Sequence, residues 1–379
     1  MQQAQQATTP ACPLPGSAND LAYSLPAHYY TSPEVFEQEK KTIFARSWVC
    51  VMHRSQVAEP NQYATVRVAG ENVFVVRGRD GVLRAFYNVC PHRAHELFPD
   101  GAGKSKNVIT CPYHAWSFGL DGKLIHVRNA ENVPGFCKDN AGLTPVRVEE
   151  FCGLVFVNLD MDAKPLAEQA AGLNDEIRAR CPDVDKLVPA RKLTYEMKAN
   201  WKVVVDNYLE CLHCQTAHPA LVESIRMETY KHEVRGIYTS QVGQTRSGSD
   251  AFTYDSDAPN TDFAAYWLWP NVTLNVLPGD GNYGVFYMFP VDADTTIQHF
   301  EFYFRDSTPT AEQEQLIEYY KDVLKPEDLS IVESVQRGLK SRGYRNGQGP
   351  LLVTDDKTSA IGEHGVQHFQ QMVLDALAA

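Results

Sequence analysis

The sequence predicts an α+β protein with two domains, the first all-β and the second an antiparallel sheet covered by helices. The chain has 379 residues, which is enough for two cores that share an interface. From Tyr63 onward apolar residues alternate with a period of two, which is typical of strands. The second half mixes helical segments with aromatic and β-branched runs. We expect a tail and one helix over 1–45, packed on the second domain, and domains over 46–160 and 161–379.

Local signals define the elements of the first domain. Ser32 and Pro33 are typical of an N-cap and a first helical position, and the apolar residues after them predict a helix that runs toward Trp48. Asp80-Gly81 and Asp121-Gly122 are typical of hairpin turns. Strands are predicted over 63–68, 72–77, 82–87 and 153–159.

In the second domain, composition and apolar spacing predict alternating groups of helices and strands. Aromatic and β-branched residues in the strands suit a sheet that helices cover. The predicted helices are 165–180, 201–213, 311–324, 328–339 and 365–377, and the predicted strands are 267–276, 283–290 and 297–304.

Composition argues against several classes of protein. The net charge of −12 is unlike that of a nucleic-acid-binding protein. No apolar run approaches the roughly 20 residues of a membrane-spanning helix. Residues 1–27 lack the basic start and apolar centre of a signal peptide, so we expect a cytoplasmic protein. The nine cysteines follow no regular framework, which favours reduced thiols or metal ligands.

Two short segments pair cysteine with histidine. Cys90-Pro91-His92 and Cys111-Pro112-Tyr113-His114 are separated by 18 residues, and each follows a predicted strand. Two thiolates suit the iron of a [2Fe–2S] cluster that stays ferric, and two neutral imidazoles suit the other iron. We therefore assign Cys90 and Cys111 to one iron and His92 and His114 to the other. The alternatives are a zinc site, which usually pairs like residues, and coincidence. His95 is better explained as a loop-packing or surface residue.

A second group of candidate ligands lies near His213. On a helix over 201–213, Asp206, Glu210 and His213 would share one face. His218 lies too far round for the same helix, so the helix must bend or end before Pro219. Two histidines and one further carboxylate would form a facial triad that leaves positions open for O2.

The alternative for this second group is two histidines that flank a helix end without a metal. The pattern of two histidines with four residues between them is short and common. Cys211 and Cys214 would then be incidental thiols or a C-x-x-C pair.

The segments 88–93 and 111–116 resemble the Rieske motif of the aromatic-ring-hydroxylating oxygenase family. The resemblance implies an all-β Rieske domain and a helix-grip-like catalytic domain. In that family an Asn-Trp-Lys segment, an acidic residue and two histidines mark a mononuclear iron site, which implies ligand roles for His213 and His218. The third ligand is an Asp on a late helix, and Asp328 matches it. A favourable interaction with the helix macrodipole would also explain an acid at the start of that helix.

Glu210 stands where most family members have Asp, the residue that links the iron site to a Rieske histidine of the neighbouring subunit. A glutamate can still accept a hydrogen bond from a ligand imidazole. We assign Glu210, with Asp206 and Asn207 from the same segment, to the catalytic group. Glutamate at this position is similar to the subgroup that oxidises quaternary ammonium compounds, such as carnitine monooxygenase.

Aromatic faces are suited to a trimethylammonium group. Phe263, Tyr266, Trp267 and Trp269 form an aromatic cluster in the sequence. Tyr208, next to the predicted iron site, and Tyr266, Trp267 and Trp269 of this cluster are the candidate substrate contacts, although aromatic rings also commonly fill the core of a sheet. An aromatic acid remains an alternative substrate.

The resemblance implies the oxygenase component of a monooxygenase. Electrons from NADH pass through a separate flavin and iron–sulfur reductase to the cluster, and then across a subunit boundary to ferrous iron. There O2 is activated and one oxygen atom enters a substrate C–H bond, which leads to C–N cleavage or N-demethylation when that carbon bears nitrogen. Family members form cyclic trimers, so we expect a homotrimer. The alternatives are a ring-hydroxylating oxygenase of an aromatic acid and a Rieske electron carrier without its own catalysis.

Overall fold

The computed structural model describes residues 21–344, 346–356, 358–359 and 362–379, so most of the predicted tail lies outside the described residues. The α-helices in these residues are α1 (His28–Thr31), α2 (Pro33–Glu39), α3 (Leu166–Gln169), α4 (Leu173–Arg180), α5 (Trp201–Tyr208), α6 (Cys214–Ala217), α7 (Pro219–Ser224), α8 (Ala311–Tyr319), α9 (Lys325–Leu339) and α10 (His364–Ala378). The strands are β1 (Val49–His53), β2 (Gln62–Val68), β3 (Glu71–Arg77), β4 (Leu83–Tyr87), β5 (Ala102–Lys104), β6 (Val108–Thr110), β7 (Ser117–Gly119), β8 (Leu124–His126), β9 (Pro145–Phe151), β10 (Leu154–Asn158), β11 (Val188–Met197), β12 (Lys231–Arg235), β13 (Tyr238–Gln244), β14 (Asp262–Leu268), β15 (Val272–Leu277), β16 (Asn282–Asp292) and β17 (Thr295–Phe304).

The first half of the chain forms two antiparallel sheets. Seven strands pair in the order β1-β10-β9-β4-β3-β2-β5, and β6-β7-β8 form a three-stranded sheet. The predicted strands of this region and both Asp-Gly turns are confirmed, and Gly81 and Gly122 have positive φ angles of 76° and 83°. Ser32 caps α2 as predicted by accepting a hydrogen bond from the backbone N–H of Val35. This half is the predicted all-β unit.

The second half is built on one seven-stranded antiparallel sheet. Its strand order is β11-β17-β16-β15-β14-β13-β12. Helix α9 packs on α5 and β11, and α10 packs on α5 and β12. The α+β class is therefore confirmed, with helices α5, α9 and α10 lying on the sheet.

Several predicted boundaries differ from the structure. The predicted strand 267–276 is two strands, β14 and β15, separated by a turn at Asn271, whose side chain forms two hydrogen bonds with the backbone of Cys50 in β1. The predicted helix 165–180 is interrupted at Gly172, which has a φ of 93°. Strands β11, β12 and β13 were not predicted from the sequence, because polar residues interrupt their apolar positions.

The last two long helices are joined rather than separate. A π-helical turn, Tyr320–Leu324, links α8 to α9, and Leu324 itself has helical backbone angles. Asp328 therefore does not lie at an open helix N-terminus. The explanation of this carboxylate as a residue that only stabilises such a terminus does not fit the structure.

The Asn-Trp-Lys segment fixes the start of α5. The Asn200 side chain caps the helix by accepting from the N–H of Lys202 at 3.0 Å. The ammonium of Lys202 lies 2.5 Å from Glu39 Oε1, and both side chains have no exposed surface. The Trp201 indole donates to the other oxygen of Glu39 at 2.9 Å. A buried ion pair therefore holds α5 against the N-terminal helix.

Replacing Lys202 by methionine is expected to destabilise the second domain. The substitution leaves the Glu39 carboxylate buried without a counter-ion, which typically costs about 3–5 kcal/mol in the free energy of unfolding. Urea unfolding followed by tryptophan fluorescence measures the change. Lys198→Met is the matched control, because the exposed ion pair of Lys198 with Glu196 should leave the unfolding midpoint unchanged. A Lys202→Met midpoint equal to that of the wild type would contradict the prediction.

Candidate active site and metal centres

The two Cys/His loops have nearly the same backbone. In each, the cysteine N–H donates to the carbonyl oxygen five residues later, His95 for Cys90 and Trp116 for Cys111, both at 2.8 Å. In each, the cysteine carbonyl accepts from an alanine N–H four residues later at 3.0 Å. Those alanines have positive φ angles of 56° and 58°. The loops therefore present their side chains as a matched pair.

The four predicted cluster ligands divide into a buried pair and an exposed pair. Cys90 and Cys111 are both 2% exposed, are not joined in a disulfide, and are neighbours close enough for a thiol hydrogen bond. His92 and His114 lie exposed at the loop tips with ring centroids 4.6 Å apart. Trp116 stacks on the His92 ring at 4.7 Å. Thiols inside and imidazoles outside fit a cluster whose two irons take different ligands.

A single zinc ion fits this arrangement poorly. Its four ligand atoms must lie close together around one centre. Within the described part of the chain, three or more potential ligand atoms converge within 4.8 Å at a different place, and not among these four residues. His95 is not part of the set, because its Nδ1 forms a 2.5 Å hydrogen bond with the carbonyl of Glu96 and the residue is exposed.

The end of α5 differs from the prediction and positions Glu210. The helix ends at Tyr208 because the Glu210 carboxylate accepts hydrogen bonds from the backbone N–H groups of Leu212 and His213, which a continuing helix would need. The other Glu210 oxygen lies 2.5 Å from His213 Nδ1. Cys211 and Cys214, on either side of His213, are joined as a disulfide.

The predicted shared face of Asp206, Glu210 and His213 is wrong. Asp206 lies on the regular part of α5 and faces away, where its carboxylate accepts from the Tyr30 hydroxyl at 2.6 Å and from Gln370. Burial raises the pKa of Asp206 to about 7, although those hydrogen bonds oppose the shift. Asn207 is close to the site, with its Nδ2 3.4 Å from His213 Nε2.

Three side chains converge as a potential metal site. His213 Nε2 lies 3.2 Å from His218 Nε2, and His218 Nε2 lies 3.0 Å from Asp328 Oδ1. The third separation, His213 Nε2 to Asp328 Oδ1, is 4.0 Å. Ligand atoms bound at about 2.1 Å and at right angles lie about 3.0 Å apart, so two separations match and the third is wider. Two imidazoles and one carboxylate are the donors of a facial iron site.

A carboxylate orients each of the two imidazoles. Glu210 forms a hydrogen bond with Nδ1 of His213, and Glu327 Oε2 forms one with Nδ1 of His218 at 2.8 Å. Both Nε2 atoms therefore point to the potential metal site. Burial lowers the pKa of His218, but the hydrogen bonds and charges of Asp328 and Glu327 outweigh it and the pKa is raised. The site therefore favours positive charge, as a metal cation requires. The sequence analysis missed the role of Glu327, although it precedes Asp328 directly.

A cavity adjoins the three converging side chains. Tyr208 lines it as predicted, and its hydroxyl donates to Asn275 Oδ1 at 2.7 Å. The Gln241 side chain donates a hydrogen bond to the Tyr208 carbonyl oxygen at 2.7 Å. Six aromatic side chains line this cavity, namely Tyr208, Tyr230, Phe263, Phe286, Phe300 and Tyr320.

Three predicted substrate contacts do not line this cavity. The side chains of Phe263 and Ala265 in β14 face it, so Tyr266 points to the opposite side of the sheet, where its hydroxyl accepts from Arg180 at 3.1 Å. Trp267 and Trp269 pack against Phe369 of α10 in the hydrophobic core. The geometry therefore assigns these three rings to packing rather than to substrate.

Two protein-family models match most of the chain. Residues 47–137 match the Rieske [2Fe-2S] domain. Residues 184–379 match the ring hydroxylating alpha subunit (catalytic domain). Together these matches include every predicted cluster and iron ligand.

Characterised relatives cover nearly the whole chain. The carnitine monooxygenase oxygenase subunit of Acinetobacter baumannii is 49% identical over 354 residues, which is 93% of this chain and 95% of that protein. The Escherichia coli K12 protein of the same name is 49% identical over 352 residues, 93% of each chain. The chloroplastic choline monooxygenase of Spinacia oleracea is 28% identical and covers 92% of this chain and 77% of its own.

Solved structures agree with this similarity. A quaternary ammonium Rieske monooxygenase described in connection with carnitine oxidation by gut microbiota superposes with a TM-score of 0.85, 48% identity, and coverage of 94% of this chain and 96% of that chain. A structure of such an enzyme in complex with L-carnitine gives a TM-score of 0.82 at 47% identity, with the same coverage.

Proposed function

Because the chain belongs to the Rieske family of ring-hydroxylating oxygenase α subunits, we propose that it is the oxygenase component of a monooxygenase that oxidises quaternary ammonium substrates of the carnitine type. The observation that carries the proposal is the cavity beside His213, His218 and Asp328, because six aromatic rings line it. Aromatic faces attract a quaternary ammonium cation, most strongly where water is excluded.

Bound iron would activate O2 for insertion of one oxygen atom into a C–H bond, with electrons from NADH arriving through a separate flavin and iron–sulfur reductase and the cluster. His213, His218 and Asp328 would hold this iron. Glu210 and Glu327 keep both imidazoles in one tautomer and one orientation, with Nε2 free to bind. Cys90, Cys111, His92 and His114 would hold the cluster. The aromatic rings position the substrate and exclude water from it.

A cyclic homotrimer would bring the two centres of neighbouring chains together, and we propose this assembly. Two features support it. His92 and His114 are exposed at the tips of their loops. A second cavity is lined by Glu210 and His213, so an imidazole of a neighbouring chain could approach Glu210 from there.

No helix within the described residues is long and apolar enough to cross a membrane. We propose the cytoplasm as the compartment, because the nine cysteines follow no regular framework, which favours reduced thiols or metal ligands.

Substrate-dependent consumption of NADH and O2 tests the proposed function. We expect activity with L-carnitine, γ-butyrobetaine or a related betaine in the presence of a reductase, and one atom of ¹⁸O from ¹⁸O2 in the hydroxylated fragment. If that carbon bears nitrogen, the products are an aldehyde and an amine. Turnover of aromatic acids alone would contradict the proposal. An iron content of about two per chain, rather than about three, would instead indicate an electron carrier.

A further inference from the structure

Lys325, at the start of α9, is a buried cation without an ionic partner. The residue is 2% exposed, and its ammonium contacts Gln298 Oε1 at 2.5 Å and Met197 Sδ at 3.2 Å. Within the described part of the chain no carboxylate lies within ion-pair distance of it. Lys202, the other fully buried lysine discussed above, has Glu39 at 2.5 Å. Lys325 therefore lacks what a buried ammonium ordinarily has.

Lys325 keeps its positive charge at neutral pH although its pKa is lowered. Burial lowers its pKa to about 8, while the charges of Asp328 and Glu333 oppose the shift. The ammonium therefore remains mostly protonated at neutral pH. The rings of Tyr195 and Phe300 lie 5.3 and 5.2 Å from it and offset part of its desolvation cost. Neither ring supplies the negative charge that would neutralise it.

The unpaired ammonium lies in the same cavity as the aromatic rings. Lys325, Gln298 and Met197 all line it, together with His213 and Asp328. Lys325 and Asp328 are three residues apart on α9, so their side chains leave the same face of the helix. An anion that pairs with Lys325 would therefore be part of the molecule that occupies the cavity.

We propose that Lys325 binds a carboxylate of the substrate, so that the site selects zwitterions with a quaternary ammonium at one end and a carboxylate at the other. This inference rests on the proposed function and narrows it. Substrates such as carnitine and γ-butyrobetaine carry both groups. Choline has the cation but no carboxylate, so its binding would leave the Lys325 ammonium buried and unpaired, which is costly. The negative charge at the end of the ligand opposite its quaternary ammonium group thus determines which substrates the site prefers.

Ligand pairs test the inference in the wild-type holoenzyme without any mutation. Dissociation constants are measured by isothermal titration under anaerobic conditions for L-carnitine and for its methyl ester, which keeps the trimethylammonium group but loses the negative charge. A charge-assisted hydrogen bond predicts that the ester binds about 10- to 100-fold more weakly. Equal dissociation constants would overturn the inference and leave the proposed function standing. Binding of neither ligand would overturn both.

The variant Lys325→Met tests whether the preference for carnitine over its methyl ester depends on this residue. In the variant we expect the dissociation constant of carnitine to rise about 10- to 100-fold while those of the methyl ester and choline do not rise, because methionine keeps the length of the side chain but removes the charge that a ligand without a carboxylate leaves unpaired. Lys321→Met is the matched control on the preceding turn, because the Lys321 side chain is 42% exposed and its ammonium is paired with Glu318. This variant should bind all three ligands as the wild type does. A variant that still prefers carnitine to its ester as strongly as the wild type would overturn the role of Lys325.

Discussion

Replacing His218 by alanine is expected to remove the mononuclear iron and lower product formation by roughly a thousandfold or more, the scale on which loss of one member of a catalytic unit acts. His218 is 3% exposed, and its Nε2 lies near both other proposed ligands. Two remaining ligands cannot complete a facial triad. The measured iron content should fall from about three to about two atoms per chain, while the visible spectrum of the cluster persists.

The retained cluster spectrum also serves as the folding control for this variant. His368→Ala is the matched histidine control, because His368 is half-buried, lies outside the proposed ligand set, and its Nε2 bonds to the backbone oxygen of Gly236. We expect that variant to keep its iron and its activity. A His218→Ala protein that retained three irons and turned over normally would refute the assignment of the iron site.

Replacing Glu210 by alanine is expected to leave both metal centres bound but to separate reduction of the cluster from product formation. The Glu210 carboxylate accepts hydrogen bonds from two backbone N–H groups and contacts His213 Nδ1. Glu210 also lines the second cavity. Its carboxylate is therefore the proposed link between His213 and a histidine of the next chain. We expect a single-turnover rate lower by about 10- to 100-fold, since carboxylates that hydrogen-bond to metal-ligating histidines commonly contribute that much.

Glu327→Ala is the informative control for Glu210, because Glu327 orients His218 in the same way. Loss of Glu327 should weaken iron affinity about 10- to 100-fold, and excess ferrous iron should restore single turnover. Loss of Glu210 is expected to weaken iron binding in the same way, so both variants are compared with the iron site fully loaded by excess ferrous iron. Single turnover should then return in Glu327→Ala but not in Glu210→Ala, since the further defect of Glu210→Ala lies in electron delivery. Wild-type single-turnover rates in Glu210→Ala, with both centres loaded, would rule out the proposed link.

Local sequence was sufficient to predict the two Cys/His loops, whereas the ligand roles of His213 and His218 were predicted from the resemblance to a known family. Cys90 and His92 lie in one tight loop, as do Cys111 and His114, so their spacing alone brings the ligands together. The end of α5 was not predictable in the same way. Apolar spacing continues past Tyr208, but the Glu210 carboxylate takes the N–H groups of the next residues and ends the helix. Asp206 lies before this end, on the regular part of the helix, and therefore no longer shares a face with Glu210 and His213. Its carboxylate faces Tyr30 rather than the metal site.

The sequence by itself determined the α+β class, the two Cys/His loops and the pair His213 and His218, because each depends on neighbours along the chain. Only the tertiary structure decided which aromatic rings face the cavity. Most of β14 is buried on both faces, so its sequence shows no alternation of polar and apolar residues, and a register one residue different would exchange Ala265 for Tyr266. Glu327 and Lys325 likewise acquire their roles only when α9 brings them to strands and loops that lie far away in sequence.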